Sequence, residues 1–133
     1  MKKGVCLNSE ISYAISKMGH FDTLAIGDAG LPIPSEVQRI DLAVTPGVPS
    51  FGAVFETVLA ELKVQKMTIA SEMKEQNGKM YQYMMDQARK NDIPVAEVPH
   101  EQFKAATGSC KAVIRTGECS PFSNVILESG VSF

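Results

Sequence analysis

The chain has 133 residues, 44% of them hydrophobic, the size of one ordinary domain that buries a core without disulfide or metal staples. Its formal net charge of -2 comes from mixed signs without a basic cluster, which argues against nucleic acid or an anionic membrane surface as partner and favours a small neutral or polar ligand. Cys6, Cys110 and Cys119 form an odd set with no CxxC pair, so neither a disulfide framework nor a structural zinc site is expected, and a reducing, cytoplasmic compartment is the default. The apolar stretch after Lys2 and Lys3 stops at Asn8, far short of a signal-peptide core or a membrane span, so neither export nor anchoring is expected.

Taken in order, Asn8 or Ser9 is placed to cap a helix whose apolar residues Ile11, Ala14, Ile15 and Met18 fall at helical spacing, with Gly19 as its C-cap. His20 follows directly. A buried strand is expected from Thr23 to Ile26, and then a loop through Pro34, stiffened by Pro32 and Pro34. Arg39 to Val44 reads as a second strand closed by Thr45-Pro46-Gly47. Ser50 caps a helix with Phe51, Val54, Phe55, Val58, Leu59 and Leu62 on one face, and a third strand spans Lys66 to Ala70. A helix from Gly78 to Lys90 rests on Met80, Tyr83, Met84 and Ala88. Pro94 to Val98 reads as a strand, His100 to Ala106 as a short helix and Ala112 to Arg115 as a strand. Asn124 to Leu127 with Val131 to Phe133 reads as a closing hairpin around Ser129-Gly130. There is no repeat and no low-complexity segment. Strands alternating with amphipathic helices imply a three-layer α/β/α single domain over residues 1–133, with a mixed, largely parallel sheet and a C-terminal antiparallel hairpin. Ligands of such sheets sit in loop clusters outside the strand ends.

Each candidate for chemistry has a plain structural alternative. An imidazole, with an unperturbed pKa of about 6.5, both takes and gives protons near neutrality. His20 is therefore a candidate acid/base, or else a histidine that complements the negative end of the preceding helix. His100 is a ligand donor or an exposed residue at a helix start. Asp28 ends a buried strand beside a stiff loop, which suits a polar site, although Asp-Ala-Gly is also ordinary turn chemistry. The tail Arg115-Thr116-Gly117-Glu118 with Ser123-Asn124 sets donors and acceptors in a loop between two strands. There the Asn124 amide can bond a sugar hydroxyl in both directions and Phe122 can stack on a sugar face; a polar turn with a core phenylalanine explains the same residues. Glycine-rich nucleotide-binding patterns are absent, and two isolated histidines with three scattered cysteines lack metal-ligand spacing. The methionines Met80, Met84 and Met85 suit a core or an interface.

The series Leu7-Asn8-Ser9, Gly19-His20, Asp28 through Pro34, Ile40-Asp41-Leu42, His100 through Lys104, Ile114 through Glu118 and Asn124 closely resembles the D-ribose pyranase family from end to end. Related fucose mutarotases share the Gly-His and Thr-Gly-Glu features, but Gly30-Leu31-Pro32-Ile33-Pro34 is of the ribose type. The resemblance implies an isomerase that interconverts β-pyranose and β-furanose ribose without metal or organic cofactor. His20 matches the catalytic histidine, and Asp28, His100, Phe122, Ser123 and Asn124 match substrate-binding positions. Phe122 stands where the family often has tyrosine, which leaves stacking or a backbone contact in place of a hydroxyl. The resemblance also implies a ring-like homo-oligomer, usually a decamer of stacked pentamers, with sites near subunit contacts; Phe133 and the Met-rich helix are contact material. The alternatives are a mutarotase of another sugar such as fucose, a noncatalytic sugar-binding accessory of transport and, more remotely, a phosphohistidine carrier.

Overall fold

The computed structural model describes residues 1–133. Alternation of buried side chains between two faces builds a six-stranded sheet of order β2-β5-β1-β6-β3-β4, from β1 (Thr23–Gly27), β2 (Gln38–Asp41), β3 (Val64–Ala70), β4 (Val95–Val98), β5 (Ala112–Arg115) and β6 (Val125–Ser129). β5 runs parallel to both β1 and β2, and β3 runs parallel to β4. β6 lies between β1 and β3, antiparallel to both.

On one face, Leu24, Ile26, Met67, Ile69, Ile114 and Leu127 pack under Ile11 and Ala14 of α1 (Ser9–Ser16), Phe51 and Phe55 of α2 (Phe51–Leu59) and Met84 of α4 (Gly78–Lys90). On the other face, Ala25, Val113 and Ile126 meet Phe103 of α5 (His100–Thr107), together with Leu31 and Val37 from the loop after β1. The result is the expected three-layer α/β/α domain with a mixed sheet. A further turn of helix, α3 (Met73–Gln76), leads into α4. No helix is long and apolar enough to cross a membrane.

The expected caps form: the Asn8 side chain accepts the Ile11 N–H at 2.9 Å, and the Ser50 hydroxyl accepts the Ala53 N–H at 3.3 Å. Several boundaries differ from expectation: β2 runs from Gln38 to Asp41 and stops short of Val44, β3 begins at Val64 rather than Lys66, and α2 ends at Leu59, before Leu62. Helix α1 stops at Ser16 with Lys17 as its cap, not Gly19. Asp22 supplies the acceptor that closes the following turn, taking the Gly19 N–H at 2.9 Å, and the left-handed position falls on Phe21 with φ 69. The expected C-terminal hairpin is also absent, for Val131, Ser132 and Phe133 are exposed and form no strand. Both edges of β6 are already paired, with β1 and β3, so a strand from Val131 has no partner edge next to it.

Candidate functional site

At the C-terminal end of β1 the chain enters a closed hydrogen-bonded clamp. The Asn124 side chain, 1% exposed, accepts the Asp28 N–H through Oδ1 at 2.8 Å and donates from Nδ2 to Asp28 Oδ2 at 3.1 Å. Asp28 Oδ1 accepts the Gly30 N–H at 2.9 Å. The preceding residue must be small, since a Cβ on Gly27 would lie 2.5 Å from the Leu31 side chain and 3.0 Å from Asn124 Oδ1. Burial pushes the Asp28 carboxyl above its ordinary pKa, opposed in part by the Gly30 N–H and the Asn124 amide. Arg115 secures the same loop, donating from Nε to the Ala29 carbonyl at 3.0 Å and from Nη1 to Asp41 at 3.1 Å.

His100 opens α5 beside this clamp. Its helix has Pro99 at the N-cap, which offers no capping side chain, so the cap comes from elsewhere: the His100 N–H donates to both Glu72 oxygens, at 3.1 and 3.0 Å. That N–H holds the Glu72 carboxyl below its ordinary range. The His100 ring lies parallel to Phe103 at 6.2 Å and meets Phe122 edge-on at 5.0 Å. Its Nδ1 is the one buried side-chain nitrogen or oxygen atom in the chain without a hydrogen-bond partner. Leaving such an atom unsatisfied costs about 1–3 kcal/mol, a strain that folding tolerates where function asks for it.

Phe122, Ser123 and Asn124 form an arch into β6. Phe122 adopts φ 57, and the buried Ser123 hydroxyl sits 2.7 Å from Ser120 Oγ and accepts from Asn77 Nδ2 at 3.2 Å. Glu118 anchors the arch from below, accepting the Ser120 hydroxyl at 2.9 Å and the N–H of Phe51 at the start of α2 at 3.2 Å. Burial raises the Glu118 pKa, but the Phe51 and Ser120 donors outweigh it and the carboxyl titrates below its ordinary range.

The structure thus brings Asp28, His100, Phe122, Ser123 and Asn124 together at one end of the sheet. His20 is not among them. It precedes β1 whereas Asp28 follows it, and the five residues of β1, at about 3.3 Å each, alone separate the two by about 16 Å. His20 is exposed, stacks on Phe21 at 3.8 Å, and lies with Nε2 2.9 Å from Gln65 Oε1; Gln65 in turn donates from Nε2 to Glu128 Oε1 at 2.8 Å. Sequence reasoning missed Gln65, Glu128, Glu72 and Asn77. All four reach their partners across sheet neighbours or loops far away in sequence, and no local spacing announces such contacts.

A carboxylate, an imidazole, a primary amide and an aromatic edge in one half-buried cluster offer both donors and acceptors suited to a compact polyhydroxy ligand, at the strand ends where ligands of α/β sheets generally sit. Residues 1–132 match the RbsD / FucU transport protein family, and the chain belongs to it. Over 133 residues it is 50% identical to a D-ribose pyranase of Lactiplantibacillus plantarum, each chain being covered in full. It is 48% identical over 139 residues to a D-ribose pyranase of Edwardsiella ictaluri, again with full coverage of both. The structure of Bacillus subtilis RbsD complexed with D-ribose matches at a TM-score of 0.96 and 38% identity, with both chains covered in full. The fucose mutarotase of Streptococcus pneumoniae in complex with L-fucose shares the fold, with a TM-score of 0.75, 19% identity and full coverage of both chains.

Proposed function

We propose that this protein is a D-ribose pyranase, an isomerase that interconverts the β-pyranose and β-furanose forms of ribose and so supports ribose uptake and phosphorylation. The observation that carries this reading is the Asp28–Asn124–His100 cluster on a chain that is 50% identical throughout to a D-ribose pyranase. The whole of residues 1–133 acts as one pyranase-like domain in the cytoplasm, without metal or organic cofactor.

Changing ring size requires the cyclic hemiacetal to open and close through a different hydroxyl. The anomeric hydroxyl loses its proton as its oxygen becomes a carbonyl, the bond from the anomeric carbon to the ring oxygen breaks, and the ring oxygen takes a proton. Asp28, His100, the Phe122-Ser123 backbone and face, and Asn124 hold the sugar so that the correct hydroxyl reaches the carbonyl carbon. His20 is the acid/base. Since β1 separates it from the cluster of its own chain, the working site takes His20 from a second copy, which makes self-association part of the chemistry. A ring-like homo-oligomer, a decamer of stacked pentamers, supplies that arrangement. Exposed Val5, Leu7, Val44, Val48 and Phe133 are apolar surface for its contacts.

Saturation-transfer NMR on ribose tests the reading: pyranose–furanose exchange is expected to accelerate with the wild-type protein and not with a folded His20→Ala variant. No acceleration by the wild type overturns it. Fucose under the same conditions measures sugar preference, and ribose is expected to respond more strongly.

A further inference from the structure

We propose that Gln65 and Glu128 are positioning residues that lock His20 into its Nε2–H tautomer, leaving Nδ1 as the nitrogen that exchanges protons with the sugar. The assignment of His20 to sugar chemistry rests on the pyranase reading; the tautomer does not.

The direction of the relay follows from its far end. The Glu128 carboxylate, which also lies 3.6 Å from Lys66 Nζ, only accepts hydrogen bonds, so the Gln65 group 2.8 Å from Oε1 is the NH2. The opposite side of that amide is therefore its carbonyl, which only accepts. The ring nitrogen 2.9 Å from it must carry a hydrogen, and this nitrogen is His20 Nε2. No side-chain or backbone group of the chain bonds Nδ1. The Phe21 ring, stacked 18° from parallel at 3.8 Å, fixes the plane in which the imidazole lies.

The sheet provides for this contact. Val64 is opposite Ser129 and Lys66 is opposite Glu128, so β3 carries one extra residue, Gln65, against β6. Such a bulge re-aims a side chain that regular pairing would have placed in alternation with its neighbours. Gln65 thereby reaches both Glu128 within the sheet and His20 in the loop before β1. Nε2 donates in the neutral and the cationic ring alike, so the relay holds the histidine through both halves of a turnover.

In ring opening, the Nδ1 lone pair takes the anomeric hydroxyl proton, and the electron pair of that O–H bond forms the carbonyl. The pair of the breaking ring C–O bond goes to the ring oxygen, which takes a proton from water. At reclosure the attacking hydroxyl gives its proton to the hydroxide left behind, and the imidazolium Nδ1 returns its own to the carbonyl oxygen.

The test is 15N NMR of protein labelled at its two histidines, with His20 assigned by loss of its signals in His20→Ala, alongside ribose exchange rates. The wild type is expected to show a protonated Nε2 and an imine-type Nδ1 at His20. Glu128→Gln, which keeps the shape but permits either amide orientation, and Gln65→Leu are each expected to give a mixture of tautomers. Their kcat is expected to fall about tenfold, within the roughly hundredfold or more that positioned proton transfer supplies, with KM little changed. A protonated Nδ1 in the wild type, or an Nε2–H tautomer unchanged in both variants, overturns the relay. An Nε2–H wild type that fails to accelerate ribose exchange overturns the pyranase reading and the sugar role of Nδ1, while loss of that tautomer in the variants still supports the relay.

Discussion

The two ends of β1 are built on opposite principles. At its C-terminal end, Asp28 and Asn124 hold each other in a buried two-bond clamp, and the nearby His100 has one ring nitrogen sealed from solvent without a partner. At its N-terminal end, His20 is exposed on an aromatic neighbour and tethered by a glutamine–glutamate relay. Burial suits discrimination among hydroxyl patterns, because each mismatch leaves a desolvated group unpaired. Exposure suits proton exchange. In the proposed site one chain has both halves, but not in one place.

The largest expected effect breaks this division. His20→Ala and Asp28→Ala, each folded, are expected to lose at least about a hundredfold in ribose exchange. Unfolded and refolded together in equal amounts, they regain about a quarter of the wild-type rate if each site draws His20 and Asp28 from different copies. Rates measured by saturation transfer that stay at the level of the separate variants would place the whole site within one chain.

Next in size is the clamp. Asn124→Ala strips two hydrogen bonds from a buried position and leaves the Asp28 N–H without its partner, with an expected cost of about 2–3 kcal/mol in denaturant unfolding and a raised KM for ribose. An equivalent change at the exposed end, His20→Ala, is expected to leave the unfolding midpoint nearly unmoved.

Two smaller effects depend on pH, with opposite signs. The folded-state pKa of Asp28 is raised above its unfolded value of 3.8, so its ionisation weakens the fold as pH rises from there through the folded pKa. Asp28→Asn is expected to melt slightly higher than wild type at pH 7, and the gap should close toward pH 3, as calorimetry across that range would record. Glu72 is the reverse case. Its folded pKa is depressed below 4.5 by the His100 N–H, so its contribution is complete above the unfolded pKa and disappears as pH falls through the folded one. Glu72→Gln is therefore expected to lose a small increment of stability at pH 7 and progressively less as the medium is acidified below the unfolded pKa.

Local chemistry made much of this molecule legible. Asn8 and Ser50 mark their helices because a side-chain oxygen before an apolar period has an orphan N–H to accept, and the bounds of α4 and β5 coincide with expectation. The stiff loop and the motif resemblance also single out His20, Asp28, His100, Phe122, Ser123 and Asn124, but not the Gln65, Glu128, Glu72 and Asn77 side chains that reach them or their neighbours from distant segments. Less legible was the end of α1, where a side chain from the following turn did the work assigned to a glycine. The closing hairpin failed for a related reason: Ser129-Gly130 has turn chemistry, but whether an adjacent strand edge is free depends on strand order.

The sequence by itself determined the alternation of strands and helices, the Asn8 and Ser50 caps and the chemical inventory, because these depend on neighbours within a few residues. Only the tertiary structure decided that β6 enters between β1 and β3, that Gln65 sits in a bulge facing Glu128, and that Glu72 caps a helix 28 residues away. It also decided that His20 and Asp28, eight positions apart in the chain, face opposite ends of the sheet. An extended strand converts a short separation in sequence into a long one in space, and no local pattern records which other strand comes to lie beside either end.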